Sequence, residues 1–333
     1  MGGLALKSTH TRRYQRKEFD ALWIEVSGII GKTFKQFSMP RYFESKESFG
    51  DMDIIISLEG FDYETMREYI TTTFKPNEIF HNGHSWSFDY KEIQIDFITC
   101  PAEDYESYEH YFAFNDLGNF IGRMAQVMGL KYGQEGLWYN HYNGNQKTKI
   151  IISKDYPKIF DYLGLDYSKW ITGFDSLEEI FEYVKTSRFF NPEIFQMHHL
   201  NKINRERNLK RASYIAFLEY IEGEECNKDY DVLEVEYHKE NLIKIIDEAF
   251  PEADVRLEVK RLEYFAAKSD YATAKFNGHI VMEKYGLKGK ELGNSIQTFQ
   301  THIQEEHQVG YIDFLVDMDE ETIFKFFELS NNM

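Results

Sequence analysis

The chain has 333 residues, of which 42% are hydrophobic and 17% aromatic, enough to bury a sizeable core in two or three domains. Its formal net charge of −18 is the wrong sign for a non-specific polyanion binder, so any contact with nucleic acid has to come from clustered cations. Cys100 and Cys226 have neither metal-ligand spacing nor a disulfide framework, and no apolar run reaches the length of a membrane span, so a reducing, cytoplasmic setting without a membrane is expected.

In chain order, Leu6 stands where an N-myristoylation signal opening at Met1-Gly2 needs Ser or Thr. Arg12, Arg13, Arg16 and Lys17 then precede a helix; they read as a solvated entry segment or as an arm that touches phosphate. Phe19, Leu22, Trp23, Val26, Ile29 and Ile30 recur at helical spacing and predict one buried face, with Gly31 as the stop. Phe34 to Phe43 alternates as a strand.

The next stretch is the most informative. Glu47-Ser48-Phe49-Gly50-Asp51-Met52-Asp53 runs into the aliphatic segment Ile54-Ile55-Ile56, which reads as a buried strand. Side chains alternate along a strand, so Asp51 and Asp53 share a face, roughly 6–7 Å apart. Two carboxylates at the mouth of a buried strand are costly unless a cation lies between them, and an all-oxygen set favours Mg2+ or Mn2+. Gly50 has no side chain, so a phosphate can approach the backbone there.

Asp62 is a helix cap for a segment through Thr73, and His81-Asn82-Gly83-His84 reads as a hairpin tip. Ser85–Tyr90 and Glu92–Ile98 are further strands, and the second carries Asp96 between Ile95 and Phe97. If it pairs with the first acidic strand, three carboxylates converge, as a two-metal site for phosphoryl or nucleotidyl transfer requires.

From Asp116 the period changes to that of a helix ending at Gly129. Tyr142-Asn143-Gly144-Asn145 is a turn between two strands, and helices follow near Tyr156–Leu163 and Leu177–Thr186. Beyond a break at Ser187–Pro192 the pattern is helical. His198 and His199 read as core or surface residues. Arg205, Arg207, Lys210 and Arg211 form a basic cluster, and Arg256, Lys260 and Arg261 a smaller one; in so acidic a chain either can steer an anionic ligand. Asp317-Met318-Asp319 repeats the acidic triplet without the glycine or the following strand, and reads as a helix N-terminus.

Residues from about Pro40 to Tyr167 resemble the palm and thumb of the X family of DNA polymerases, within the polymerase-beta-like nucleotidyltransferase superfamily. The likeness rests on Glu47-Ser48-x-Gly50-Asp51-Met52-Asp53, on Asp96 as third carboxylate, on the aromatic pair Tyr111-Phe112, and on Asp116, Asn119 and Arg123 in the register that faces base and template. Pro40-Arg41 replaces the family's Gly-Ser pair, so Arg41 is expected to meet phosphate by charge. Residues 276–293, with Gly278, Gly286, Gly289 and Gly293, are similar to a segment in the helical body of tRNA nucleotidyltransferases and bacterial poly(A) polymerases, and read equally as two helices with a glycine-rich turn.

The resemblance implies an α+β fold: a small mixed-sheet palm with flanking helices, then a mainly α-helical C-terminal domain. The expected division is 1–115, 116–190 and 191–333. It implies a nucleotidyltransferase in which Asp51 and Asp53 hold two Mg2+ or Mn2+ ions and Asp96 holds the catalytic one and helps deprotonate the attacking hydroxyl. Ser48, Gly50 and Arg41 would contact phosphates; Tyr111, Phe112, Asp116, Asn119 and Arg123 would face sugar, base and template. The substrates expected are a nucleoside triphosphate and a nucleic-acid 3′ end, tRNA-like RNA before DNA, gripped by the two basic clusters. The rivals are an X-family-like DNA polymerase on gapped or primed DNA, which Asn119 and Arg123 favour, and a degenerate transferase fold kept as a binding module.

Overall fold

A computed structural model describes residues 3, 5–58, 62–226, 239–307 and 309–333, with 239, 240 and 307 by backbone alone. The Met1-Gly2 pair lies outside the described residues. The chain forms two compact units, Met1–Asn140 with Thr148–Asp254, and His141–Lys147 with Val255–Met333.

The first unit opens with β1 (Tyr14–Gln15) and α1 (Arg16–Ile30). Phe19, Leu22, Val26 and Ile30 of α1 are buried, as their spacing predicts, and Gln15 and Glu18 close a capping box at its start. The three arginines of the entry segment are engaged by the chain itself. Arg12 pairs with Glu18 and Glu92, Arg13 donates to the Ser48 carbonyl and hydroxyl, and Arg16 donates to the carbonyls of Glu44 and Lys46. The acidic loop is therefore lashed to the N-terminus of α1.

β2 (Phe37–Ser38), β3 (Ser48–Phe49) and β4 (Asp51–Ser57) follow, then α2 (Tyr63–Phe74), β5 (Ile79–Asn82), β6 (Ser85–Tyr90) and β7 (Ile93–Cys100). The five-stranded sheet has the order β2-β4-β7-β6-β5; β4 and β7 are parallel and the other pairings antiparallel. Alternation explains its two faces. Met52, Ile54 and Ile56 of β4, with Ile93, Ile95 and Phe97 of β7, enter the core beneath α1 and α2. The opposite face carries Asp51, Asp53 and Ile55 beside Gln94, Asp96 and Ile98, and there Ile55 and Ile98 pack on Tyr105 and Tyr108.

The strand expected over Phe34–Phe43 shrinks to two residues. Beyond Ser38 the chain reaches Pro40, which has no N–H for a ladder, and Arg41, which is held away from the sheet: its carbonyl accepts from Phe114 N–H and its guanidinium donates to the carbonyls of Trp170 and Ile171. Asp62 caps α2 through Thr65 N–H at 2.9 Å.

α3 (Tyr105–Phe112) packs on the acidic face of the sheet through Tyr105 and Tyr108, and α4 (Leu117–Val127) packs on α3. β8 (Leu130–Gly133), β9 (Gly136–Asn143) and β10 (Gln146–Ser153) form a second sheet in the order β10-β9-β8, and α5 (Tyr156–Leu163), α6 (Tyr167–Thr172) and α7 (Leu177–Lys185) follow. Two 3-10 turns, Pro192–Phe195 and Met197–His199, lead to α8 (Lys202–Asn208), α9 (Ala212–Tyr220) and α10 (Lys239–Ala249). The expected division at residue 191 does not mark a separate body: Phe217 and Tyr214 of α9 pack on Phe120 of α4, with ring centroids 4.2 and 5.7 Å apart, so the segment through Asp254 belongs to the first unit.

The second unit consists mainly of α11 (Val255–Lys275), α12 (Gly278–Tyr285), α13 (Gly289–His307), α14 (Tyr311–Asp317) and α15 (Glu320–Ser330) around Phe276, Phe299, Phe314 and Phe327. Asn277 caps α12, Gly286 ends it at φ 73°, and Leu287 and Leu292 pack against the core, so this stretch builds a helix–turn–helix. Asp319 accepts from Thr322 N–H at 2.8 Å and caps α15, as the missing glycine and strand predict. Among the described residues no helix is long and apolar enough to cross a membrane.

Candidate active site

In the parallel β4–β7 pair, Asp53 is the register partner of Asp96, and Asp51 that of Gln94. All three carboxylates project from one face, and one oxygen from each lies within 4.8 Å of the others. The group can hold a metal ion. Its electrostatics ask for one: burial, and then the charges of Asp51 and Asp96, hold Asp53 well above the usual carboxylate range. Asp96 is pushed up to about 7 by burial and by Asp51, against the donors Ser87 and Gln94, and burial raises Asp51 as well.

The surroundings hold the acids in place. Gln94 Nε2 lies 2.9 Å from both oxygens of Asp96, and Gln94 Oε1 accepts from Ala5 N–H at 3.1 Å. Gly3 N–H donates to Asp51 Oδ2 at 2.9 Å. A Cβ on Gly3 would come within 2.5 Å of the Gly50 carbonyl, so a bare residue is needed for that approach.

A cavity of about 340 Å3 opens beside the acids. Its wall includes Asp51, Asp53, Arg41, Tyr111, Phe112, Asp116 and Asn119, so the sequence register brings these seven together. Asp96 stands behind the two lining acids, on the strand next to theirs. Tyr111 and Phe112 end α3 with their rings at 81° to each other. Gly118 is packed so closely that a Cβ would lie 2.2 Å from the Tyr111 carbonyl, which locks α4 against that pair.

Other expected site residues lie elsewhere or have partners that limit them. Arg123 is a correction. It is buried, its guanidinium donates to the Ile194 carbonyl and to Gln126 Oε1, and it is not among the residues that line the cavity. Ser48 and Gly50 are also outside the lining; the Ser48 hydroxyl accepts from Arg13 at 3.0 Å. Arg41 reaches the cavity while spending two nitrogens on the carbonyls of α6. Asp116 is buried and accepts from Arg211 and Ser213. Asn119 Nδ2 approaches Asn208 Oδ1 at 3.4 Å.

Arg211, expected in a nucleic-acid-binding cluster, instead lines the cavity, where its charge also acts on Asp53. Arg205, Arg207 and Lys210 are exposed in the first unit; Arg256, Lys260 and Arg261 belong to the second.

Sequence reasoning missed Lys46. Its ammonium lies over the Phe49 ring at 4.8 Å and faces Asp51 and Asp53, which oppose the downward push of burial on its pKa. The available signal was a lysine inside the acidic loop, five residues before Asp51. Gln94 could have been read from its place two residues before Asp96 on the same strand face. No family model matches the chain, and no curated protein matches it significantly.

Proposed function

We propose that the protein is a metal-dependent nucleotidyltransferase of the polymerase-beta-like kind, which moves a nucleoside monophosphate from a nucleoside triphosphate to a polynucleotide 3′-hydroxyl. One observation carries the reading: three carboxylates converge on paired parallel strands, and two of them line a cavity together with the cations Lys46 and Arg211 and an aromatic pair. The donor set is all oxygen and its members repel one another, which fits Mg2+ or Mn2+ and gives no reason for zinc. Bound there, a pair of such ions supplies activation of the attacking hydroxyl and neutralisation of the leaving pyrophosphate.

The chain's own groups do the rest. Asp51 and Asp53 would hold the ions, and Asp96, beside them on β7, would complete the ligand set and help take the proton of the attacking hydroxyl. Lys46 and Arg211 supply positive charge to the triphosphate in place of the family's Gly-Ser pair, and Arg41 adds to it. Tyr111 and Phe112 offer a stiff surface to the sugar.

For the acceptor we favour an RNA 3′ end. Arg123, which favoured a DNA polymerase, is tied to Ile194, and that support is withdrawn. The exposed cations at Arg205, Arg207 and Lys210 remain to meet its phosphates, in the same unit as the acids. A cytoplasmic location agrees with the two free cysteines. The test is incorporation of labelled NTPs and dNTPs onto total tRNA, single-stranded DNA and gapped duplex. Ribonucleotide addition to tRNA supports the reading; templated gap filling transfers the assignment to DNA; no incorporation with any acceptor contradicts it.

A further inference from the structure

A second group of metal-ligating side chains lies on the two 3-10 turns between α7 and α8, in Asn191-Pro192-Glu193-Ile194-Phe195-Gln196-Met197-His198-His199-Leu200. Glu193, His198 and His199 each bring one ligand atom within 4.8 Å of the other two. His198 Nε2 is 3.8 Å and His199 Nε2 3.6 Å from Glu193 Oε2, and the two imidazole centroids are 4.2 Å apart.

These separations are too long for hydrogen bonds. They are near what a shared ion demands: ligand atoms about 2.0–2.1 Å from a tetrahedral zinc lie about 3.3 Å from each other. Glu193, His198 and His199 are all exposed, so their side chains are free to turn toward a shared ion. Exposed contacts of this kind contribute little stability by themselves.

The backbone beneath is fixed. Asn191 caps the first turn through Glu193 N–H at 2.9 Å, and Gln196 and His199 N–H close successive turns at 3.1 and 3.0 Å. Ile194, Phe195 and Leu200 are buried anchors. The Ile194 carbonyl takes the Arg123 guanidinium and the Phe195 carbonyl takes the Tyr214 hydroxyl at 2.7 Å. The three ligands therefore ride on a pinned platform, and closing an ion between them orders little more than their own side chains.

We infer that Glu193, His198 and His199 form a binding site for a borderline transition-metal ion, zinc in the first instance, with two imidazole nitrogens, one carboxylate oxygen and a coordination position open to solvent. Imidazole ligands select zinc, copper, nickel or cobalt over magnesium, so this site and the acidic triad take different ions. Arg123 joins the platform to α4, so occupancy stabilises the folded first unit by mass action.

The experiment is calorimetric titration of the full chain with zinc chloride near neutral pH, in an Asp51→Asn/Asp96→Asn background that removes the acidic triad. Cobalt(II) absorption in the visible range serves as a second readout. One zinc per chain is expected, with the cobalt spectrum of a nitrogen- and oxygen-ligated ion and no displacement by millimolar magnesium. Affinity should fall at least tenfold in His198→Ala/His199→Ala and severalfold in Glu193→Gln. Both rings are exposed, so melting temperatures in EDTA should match the parent; the Glu193→Gln variant keeps the test open if the double variant does not fold. Unchanged zinc affinity in both variants, or displacement by magnesium, overturns the site. The outcome is independent of nucleotidyl transfer.

Discussion

Asp53 of β4 and Asp96 of β7 are register partners in a parallel pair, so two buried-strand carboxylates face the same space, and the charge of Asp96 adds to what burial and Asp51 already impose on Asp53. A carboxyl held above its unfolded value stabilises the fold below the unfolded pKa and loses that contribution as pH rises through the folded one. For Asp96 the window runs from the ordinary carboxylate value to about 7. In EDTA, Asp96→Asn should therefore raise the melting temperature at pH 8 more than at pH 5, and added Mg2+ should stabilise the wild type selectively. The same substitution should remove several orders of magnitude of transfer rate. A variant that melts lower than wild type at pH 8 in EDTA would show that the acids do not repel.

Lys46 and Arg211 should separate cleanly by assay. Lys46→Met should raise the KM for the triphosphate by about 10–100-fold, the worth of a charge-assisted hydrogen bond of about 1.5–3 kcal/mol, with little change in melting temperature. Arg211→Met leaves the buried Asp116 carboxylate with the Ser213 hydroxyl but without its cation and should lower the melting temperature clearly. Asp116→Asn combined with Arg211→Met should recover much of that loss. Full stability in the single Arg211 variant would mean the pair is not formed in solution.

Tyr111 and Phe112 border the cavity beside the acids, as their place in the sequence register predicts. Alanine at either position should alter the ratio of kcat/KM for NTP and dNTP more than it alters the denaturant midpoint. An unchanged ratio in both variants removes the pair from sugar selection.

His110 is stacked between Tyr156 and Trp170, with ring centroids 3.5 and 4.3 Å away, and bonds to the Glu106 carbonyl and the Tyr167 hydroxyl. Burial, helped by the Arg41 charge, lowers it to about 4. Its depressed value means that its contribution is present above the unfolded pKa and is lost as pH falls from about 6.5 towards 4, on the order of 3 kcal/mol. Melting curves of His110→Phe should show a flatter acid limb over that window than wild type. Parallel limbs would contradict the buried neutral imidazole.

What was legible in the sequence follows from period and punctuation. Alternation placed Asp51 and Asp53 on one face and Asp96 opposite the apolar Ile95 and Phe97, while the pairing that brings Asp96 to them, expected from the resemblance, is supplied by β4 and β7. The two-residue remnant of the Phe34–Phe43 strand was not legible, because the ties that pull Arg41 off the sheet come from Phe114, Trp170 and Ile171, far along the chain. For the same reason Arg123 and Arg211 were misplaced. Whether a helical arginine meets solvent, a carbonyl or a cavity depends on partners at Ile194 and Asp116 that no local pattern reveals. The entry arginines read as free charges until Ser48, Glu44 and Lys46 were seen to receive them.

Acceptor binding should follow the exposed cations of the first unit. Reversing Arg205, Arg207 and Lys210 to Glu, with Arg211 left to its pair, should weaken RNA binding and flatten its salt dependence by about 0.7 in log–log slope for each phosphate no longer neutralised. Triphosphate KM should stay unchanged. A slope identical to wild type assigns those cations to solvent.

The most direct measurement for the central claim is metal-dependent pyrophosphate release from labelled NTP in the presence of tRNA, compared between wild type and Asp53→Asn at matched folding. The reading of the acidic cavity predicts release with Mg2+ or Mn2+, none in EDTA, and none in Asp53→Asn although that variant melts as high as wild type or higher. Release that persists in Asp53→Asn, or in EDTA, would contradict it.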